Sequence, residues 1–224
     1  MTYKTLKNIN NLLFLMIFAI LFANPVTSSA QNPDELWIYV QNDRASQVKS
    51  LLDRGLDPNS RTGLGNPILM QAVRDDSWAV FDLILEQPGT EINILNGYQE
   101  TPLMYVSIVG DLNRAKRLVA KGAEFNHLGW TPLHYAASKG HVDIVKYLLS
   151  IGAMPNAPAP DGTSPIMMAA RSGSLDAVQV LLNAGADPAA ININGENAVT
   201  SARDNGHTTL AESLSKVIAK RNQQ

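Results

Sequence analysis

The chain has 224 residues, 45% of them hydrophobic and 17% charged, which supplies the apolar material of one ordinary folded domain and excludes the composition of a disordered protein. A formal net charge of -2 leaves no electrostatic footprint for nucleic acid, whose binding needs clustered Lys and Arg. With no cysteine, disulfides, thiolate chemistry and a cysteine-dependent lipid anchor are excluded, and stability rests on packing.

The first thirty residues differ from the rest. Lys4 and Lys7 precede an unbroken apolar run from Leu12 to Ala23, and a short polar segment then ends Ser28-Ser29-Ala30. That order is the anatomy of a secretory signal peptide. Helical residues rise 1.5 Å each, so the run reaches about 18 Å, well short of the roughly 30 Å hydrocarbon core of a bilayer. Cleavage after Ala30 is expected, giving a signal peptide over 1–30 and a mature domain over 31–224. The alternative is an uncleaved leader that anchors the chain to the envelope, against which stand Pro25 and the small residues Ser28 and Ala30. An exported chain without disulfides or a lipid fits a bacterial periplasm, with secretion as the alternative.

Downstream, one phrase keeps returning. Thr131-Pro-Leu-His134, Ala136-Ala137, Gly140-His141, Ile144-Val145, Leu148-Leu149 and Gly152-Ala153 are matched 33 residues later by Ser164-Pro-Ile-Met167, Ala169-Ala170, Gly173, Val178, Leu181-Leu182 and Gly185-Ala186. Thr101-Pro-Leu-Met104 with Gly110-Asp111, Leu118-Val119 and Gly122-Ala123 matches upstream, and Asn66-Pro-Ile-Leu69 with Leu83-Ile84 and Gly89 matches more loosely. Eroded copies flank the array, at Leu51-Leu52 with Gly55 and at Ala202 with Gly206-His207 and Leu214.

Each phrase reads as a helix start. Proline at 67, 102, 132 and 165 suits a first turn, where its missing N–H would have no partner anyway, and Thr101, Thr131 and Ser164 before it can cap that end. Glycine at 110, 140 or 173 suits the reversal into a second helix, whose buried side is marked by Ile144, Val145, Leu148 and Leu149. Helices this short are marginal alone, so stacking supplies the stability: Ala136, Ala137, Ala169 and Ala170 permit close approach, and the leucine pairs fill the layer between units. Glu35 to Leu52 and Thr208 to Gln224 are expected to close the two ends with polar faces.

The segment from Gly129 to Asn156 resembles a nearly complete ankyrin repeat, and the resemblance extends over about residues 33 to 224. It implies an all-α solenoid of about six helix-turn-helix units with short β-turn or hairpin connections, near 33–62, 63–96, 97–128, 129–161, 162–194 and 195–224. Two irregularities break the period. The linker from Asn126 to Thr131 is three residues shorter than that from Asn156 to Ser164, so the turn at His127-Leu128-Gly129 cannot project as its neighbours do, and the second helix near Glu86-Gln-Pro-Gly89 carries about one extra residue.

No catalytic signature is present: no GxSxG turn, no phosphate-cradling glycine loop and no paired-histidine metal motif. His134, His141 and His207 read as framework residues, and His127 alone is unexplained; a lone histidine makes no metal site. Asp161-Gly162 and Asn194-Gly195 read as turns, and Met70, Met104, Met167 and Met168 as core filler. No cofactor and no metal is expected.

The resemblance also implies where a protein partner would sit, on a concave surface made of turn tips and the solvent face of the first helices. The matching tip positions are Gly65, Glu100, Trp130, Thr163 and Glu196, and the matching exposed pairs are Val73-Arg74, Ile108-Val109, Ser138-Lys139, Arg171-Ser172 and Asp204-Asn205. Tyr98, Ile108, Val109 and Trp130 are expected to cluster in the middle, flanked by Arg74, Glu100, Lys139 and Arg171, an aromatic anchor ringed by charge as at interface hot spots. Trp130 either stands in that groove or folds back over the apolar layer left open by the shortened turn. The functional expectation is a non-catalytic, monomeric adaptor or scaffold that binds another protein and neither nucleic acid nor, once the leader is removed, membrane. The alternatives are an accessory or inhibitor subunit of a periplasmic enzyme and an enzyme with an unrecognised site.

Overall fold

The computed structural model describes residues 33–223, with side chains from Glu35 onward. The leader, its cleavage site and the expected boundary at residue 30 lie outside the described residues. The compact unit that holds the repeats begins at Trp37.

Twelve helices occur among the described residues: α1 Pro33–Gln41, α2 Ala45–Asp53, α3 Ile68–Arg74, α4 Trp78–Glu86, α5 Pro102–Val109, α6 Leu112–Ala120, α7 Pro132–Lys139, α8 Val142–Ser150, α9 Pro165–Ser172, α10 Leu175–Asn183, α11 Ala198–Asp204 and α12 Thr208–Arg221. From α3 onward they pair as hairpins, α3 with α4 through α11 with α12, and the first helices α3, α5, α7, α9 and α11 pack in series while the second helices form a parallel layer behind them. Each of α4, α6, α8 and α10 has nine residues, too few to persist alone, so the fold is held by burial between neighbours. Leu103, Met104, Leu133, Ala136, Ala137, Ile166, Ala169 and Ala170 of the first helices and Phe81, Ile84, Leu118, Ile144, Leu148 and Leu181 of the second are buried. Leu149 and Met168, expected inside, are only half-buried.

Two details of helix ends correct the sequence expectation. Among the three expected caps, Thr101 accepts from the Met104 N–H, but Ser164 makes no cap and its buried hydroxyl finds no partner, while Thr131 turns to the ring of His134. The extra residue near Gly89 is not helical. α4 keeps the common length and stops at Gln87 in extended conformation (ψ 131°), because the residue before a proline is pushed out of the helical region. In the regular repeats a backbone N–H closes the second helix, as Ala123 does onto the Leu118 carbonyl at 2.9 Å; here the Thr90 hydroxyl takes that place on the Ile84 carbonyl at 2.6 Å.

A ladder of asparagines joins the units. Asn59, Asn93, Asn126 and Asn156 each donate Nδ2–H to the carbonyl of the glycine that ends the next unit (Gly89, Gly122, Gly152, Gly185; 2.8–3.0 Å). Each also accepts on Oδ1 the N–H two residues further on, at Glu91, Glu124, Met154 and Asp187, at 2.8–3.0 Å. The two-point grip fixes the spacing of successive units, and the array ends where Arg221 of α12 donates to the Ala186 carbonyl at 3.0 Å.

Gly110 and Gly173 do more than permit a reversal. Both have positive φ, 87° and 75°, and a Cβ on either would fall within 2.6 Å of the ring of His141 or His207. The histidine ring lies over the glycine, and His141 Nε2–H donates to the Ile108 carbonyl at 3.0 Å, which ties α8 to the preceding unit.

Candidate interface at a missing hairpin

Four connections between units are closed hairpins with the same pair of backbone bonds. In the turn over 62–66 the Thr62 N–H donates to the Asn66 carbonyl at 2.9 Å and the Gly65 N–H to the Thr62 carbonyl at 2.8 Å; the turns over 96–100, 159–163 and 192–196 repeat both bonds at 2.8–3.1 Å. Glycine with positive φ stands at the fourth position in three of them, Gly65, Gly162 and Gly195, whereas the turn over 96–100 holds Gln99 at φ 62°, a conformation unfavourable for a side chain.

The fifth connection lacks this hairpin. Residues 127–130 make no backbone hydrogen bond to one another; His127 Nδ1–H instead reaches the Leu128 carbonyl at 3.0 Å, and Gly129 turns the chain at φ 93°. The shortened linker therefore fails to project, as its length dictates, and it leaves two marks of poor satisfaction. Leu128 is 98% exposed, and His127 Nε2 is buried without a partner.

Where the hairpin is missing, a hollow of about 660 Å³ opens between the flanking tips. Leu95, Tyr98, Gln99 and Glu100 form one wall, and Trp130, Tyr135 and Pro160 the other, with Glu124, His127 and Leu128 also lining it. Glu100 is held firmly: Oε1 accepts from the Tyr135 hydroxyl at 2.6 Å and Oε2 from Asn96 Nδ2–H at 2.7 Å. Asn96 also bonds the Tyr105 hydroxyl at 3.2 Å. Burial first, and the Glu100 carboxylate second, push the Tyr135 hydroxyl far above the ordinary phenol range; the same two causes raise Tyr105 less, with the neighbouring Arg74 guanidinium opposing them.

Beneath the hollow lies His134, fully buried. Its Nδ1 accepts the Thr131 backbone N–H at 3.1 Å and Nε2–H donates to the Thr163 carbonyl at 3.1 Å, which assigns the neutral tautomer. Burial is the main cause that lowers its pKa to about 4, so the ring is uncharged at neutral pH. Met104 holds the equivalent place one unit earlier, with Sδ 3.4 Å from the Thr101 N–H.

The structure distributes the expected site residues over several places. Tyr98 (81% exposed), Glu100 and Trp130 line the one hollow. Trp130 combines both of its alternatives: half-buried, it packs in a T-shaped contact with the His134 ring (centroids 5.3 Å, 76°) and also lines the hollow. Ile108 and Val109 do not join them. They stand at the far end of α5, seven residues or roughly 10 Å along the axis from Pro102, where Val109 lines a separate surface dip with Trp78 and Asp111. The expected four-residue cluster is thus divided, because one short helix is long enough to separate its ends. Arg74 and Lys139 are exposed at helix ends, and Arg171 lies 3.7 Å from Glu196 on the next tip. Two of the supposed exposed positions are inside: Val73 packs in the core, and Thr163 is buried with its hydroxyl donating to Asp161 at 2.9 Å.

Sequence reasoning missed Tyr135, Asn96 and Glu124, and the asparagine ladder. The recurrence of Asn at 59, 93, 126 and 156 was a usable signal; the others lie between motif positions and are brought in only by stacking. Behind the hollow, Arg114 of α6 pairs with Asp82 of α4 at 2.9 Å and lies 4.5 Å above the Trp78 ring, Arg117 pairs with Glu86 at 3.0 Å, and Lys121 pairs with Glu86 at 2.8 Å. This is a structural clamp between second helices. Among the described residues no group of three or more His, Cys, Asp or Glu could hold a metal ion, and no helix is long and apolar enough to cross a membrane.

A family model described as ankyrin repeats (3 copies) matches residues 36–126, 69–159 and 154–224. The chain belongs to the ankyrin-repeat family, an all-α repeat solenoid whose members are generic protein–protein interaction modules. Among curated proteins it is similar to ankyrin repeat and SAM domain-containing protein 6 of Rattus norvegicus (34% identical over 91 residues, 39% of this chain and 10% of that protein). It is also similar to protein phosphatase 1 regulatory subunit 27 of Homo sapiens (46% over 56 residues, 24% and 36%) and to 2-5A-dependent ribonuclease of Mus musculus (46% over 59 residues, 25% and 8%). The chain therefore spans well under two thirds of the length of these relatives.

Proposed function

We propose that the chain is a non-catalytic, monomeric adaptor or scaffold that holds another protein on its turn tips and first-helix face. The observation that carries this reading is the hollow at the missing hairpin, where Leu95, Tyr98 and Leu128 are exposed beside Trp130 on a rigid stack. Aromatic side chains supply contact area at small entropic cost, and exposed apolar groups gathered at one place mark binding surfaces. The site of action we infer is the bacterial periplasm, after removal of the leader; Lys4, Lys7 and the apolar run from Leu12 support export. The similarity to a phosphatase regulatory subunit favours, as the second reading, an accessory or inhibitor subunit of an envelope enzyme.

The test is crosslinking and recovery from an envelope fraction with three proteins: the wild type, a Tyr98→Ala, Leu128→Ala double variant, and a Lys116→Ala control on the second-helix face. Both residues of the double variant are exposed, so all three should melt alike. A protein recovered by the wild type and the control and lost by the double variant supports the interface; recovery unaffected by the double variant removes it from this face. Mass spectrometry of the purified amino terminus should find Gln31, and an intact Met1 would overturn the cleaved leader.

A further inference from the structure

The hollow has an unbalanced chemistry. It is lined by two carboxylates, Glu100 and Glu124, and by no lysine or arginine. Neither carboxylate takes part in a salt bridge among the described residues, whereas Asp82, Glu86, Asp111 and Glu196 all do. The Arg74 guanidinium at the end of α3 neighbours Tyr105 and is not a lining residue. The Tyr135 hydroxyl already donates its hydrogen bond to Glu100, so it too can only accept from a ligand. What the hollow lacks is a positively charged donor, and its Trp130, Tyr98 and Tyr135 rings give a planar cation surfaces to lie on.

We propose that this hollow receives the guanidinium of an arginine carried by an extended segment of the protein partner. The proposal rests on the adaptor reading above and specifies what that partner presents. A segment laid across the projecting tips over 96–100 and 159–163 meets a gap one hairpin wide, and a long side chain dropped into it reaches Glu100 and Glu124. Arginine suits the gap better than lysine because its planar fork carries five N–H donors, enough for two carboxylates, and stacks on aromatic faces. Glu100 is already fixed by Tyr135 and Asn96, so little side-chain freedom is lost when the ligand arrives.

The experiment uses the full chain labelled with ¹⁵N, reading the indole N–H of Trp130 as assigned with a Trp130→Phe variant. It is titrated with a capped Ala-Ala-Arg-Ala-Ala peptide and with the same peptide bearing citrulline, which keeps the shape and loses the charge. The arginine peptide should shift the resonance saturably, with the citrulline peptide about tenfold weaker, the ratio expected for one charge-assisted contact. A Glu100→Gln, Glu124→Gln double variant removes both charges; at position 100 the amide oxygen accepts from Asn96 while the amide N–H donates to the Tyr135 hydroxyl, which turns to accept, so the variant should still melt cooperatively and should bind both peptides equally. Equal binding of the two peptides by the wild type, no saturable shift, or a discrimination that survives in the double variant overturns the proposal, as does concentration-dependent self-association abolished by Glu124→Lys, which would assign the hollow to a second copy. In the envelope experiment, a partner still recovered by the Gln double variant but lost by Tyr98→Ala, Leu128→Ala overturns the arginine and leaves the adaptor reading standing.

Discussion

The connections over 126–131 and 156–164 sit in successive units and are gripped by the same asparagine ladder, yet one is open and the other closed. With three more residues, the later turn closes its hairpin and buries Thr163 with its hydroxyl paired to Asp161; the earlier one exposes Leu128 and strands a ring nitrogen of His127. His134 touches both, taking an N–H from the end of the open turn and giving one to the closed turn. The difference teaches that in a solenoid a local deletion need not disturb the stack, since the unit spacing is set elsewhere, and that the defect becomes a recess between intact neighbours.

The largest effect expected from breaking this arrangement is at His134. His134→Leu removes the partner of the buried Thr131 N–H and should cost about 2–3 kcal/mol in chemical denaturation. The ring also makes stability depend on pH. Its folded pKa of about 4 lies below the ordinary 6.5, so between these values the unfolded chain binds the extra proton and stability rises with pH. The contribution is full above pH 6.5 and lost as pH falls toward 4, up to about 3 kcal/mol at 1.36 kcal/mol per unit. His134→Met, which installs the residue found at Met104, should flatten that part of the profile; an unchanged slope would place its origin in another group.

A smaller effect tests whether the ladder is indifferent to the turn it serves. Asn126→Ala at the open connection and Asn156→Ala at the closed one each lose two bonds at exposed positions and should each cost about 1–2 kcal/mol. A loss confined to Asn156→Ala would show that the open turn is carried by other contacts. The smallest effect is expected at His127. Because Nε2 is buried without a partner, His127→Leu should leave the melting midpoint unchanged or raise stability by up to about 1 kcal/mol, against the usual direction for a buried polar residue. Destabilisation beyond about 1 kcal/mol would mean that the bond from Nδ1 to the Leu128 carbonyl outweighs the stranded nitrogen.

The repeated Thr-Pro phrases, the inter-helix glycines and the leucine pairs determined the helices, their pairing and the stacked all-α fold, because each acts through a rule local to a few residues: proline in a first turn, glycine at positive φ, apolar spacing on one face. The length of the 126–131 linker likewise announced a turn that could not project. Tertiary structure alone decided that Tyr98, Glu100 and Trp130 line one hollow while Ile108 and Val109 do not, that Val73 points inward, and that Tyr135 and Glu124 complete the hollow. Those residues lie in three successive units, and which of them meet depends on how the asparagine ladder sets one unit against the next, a geometry that no single repeat contains.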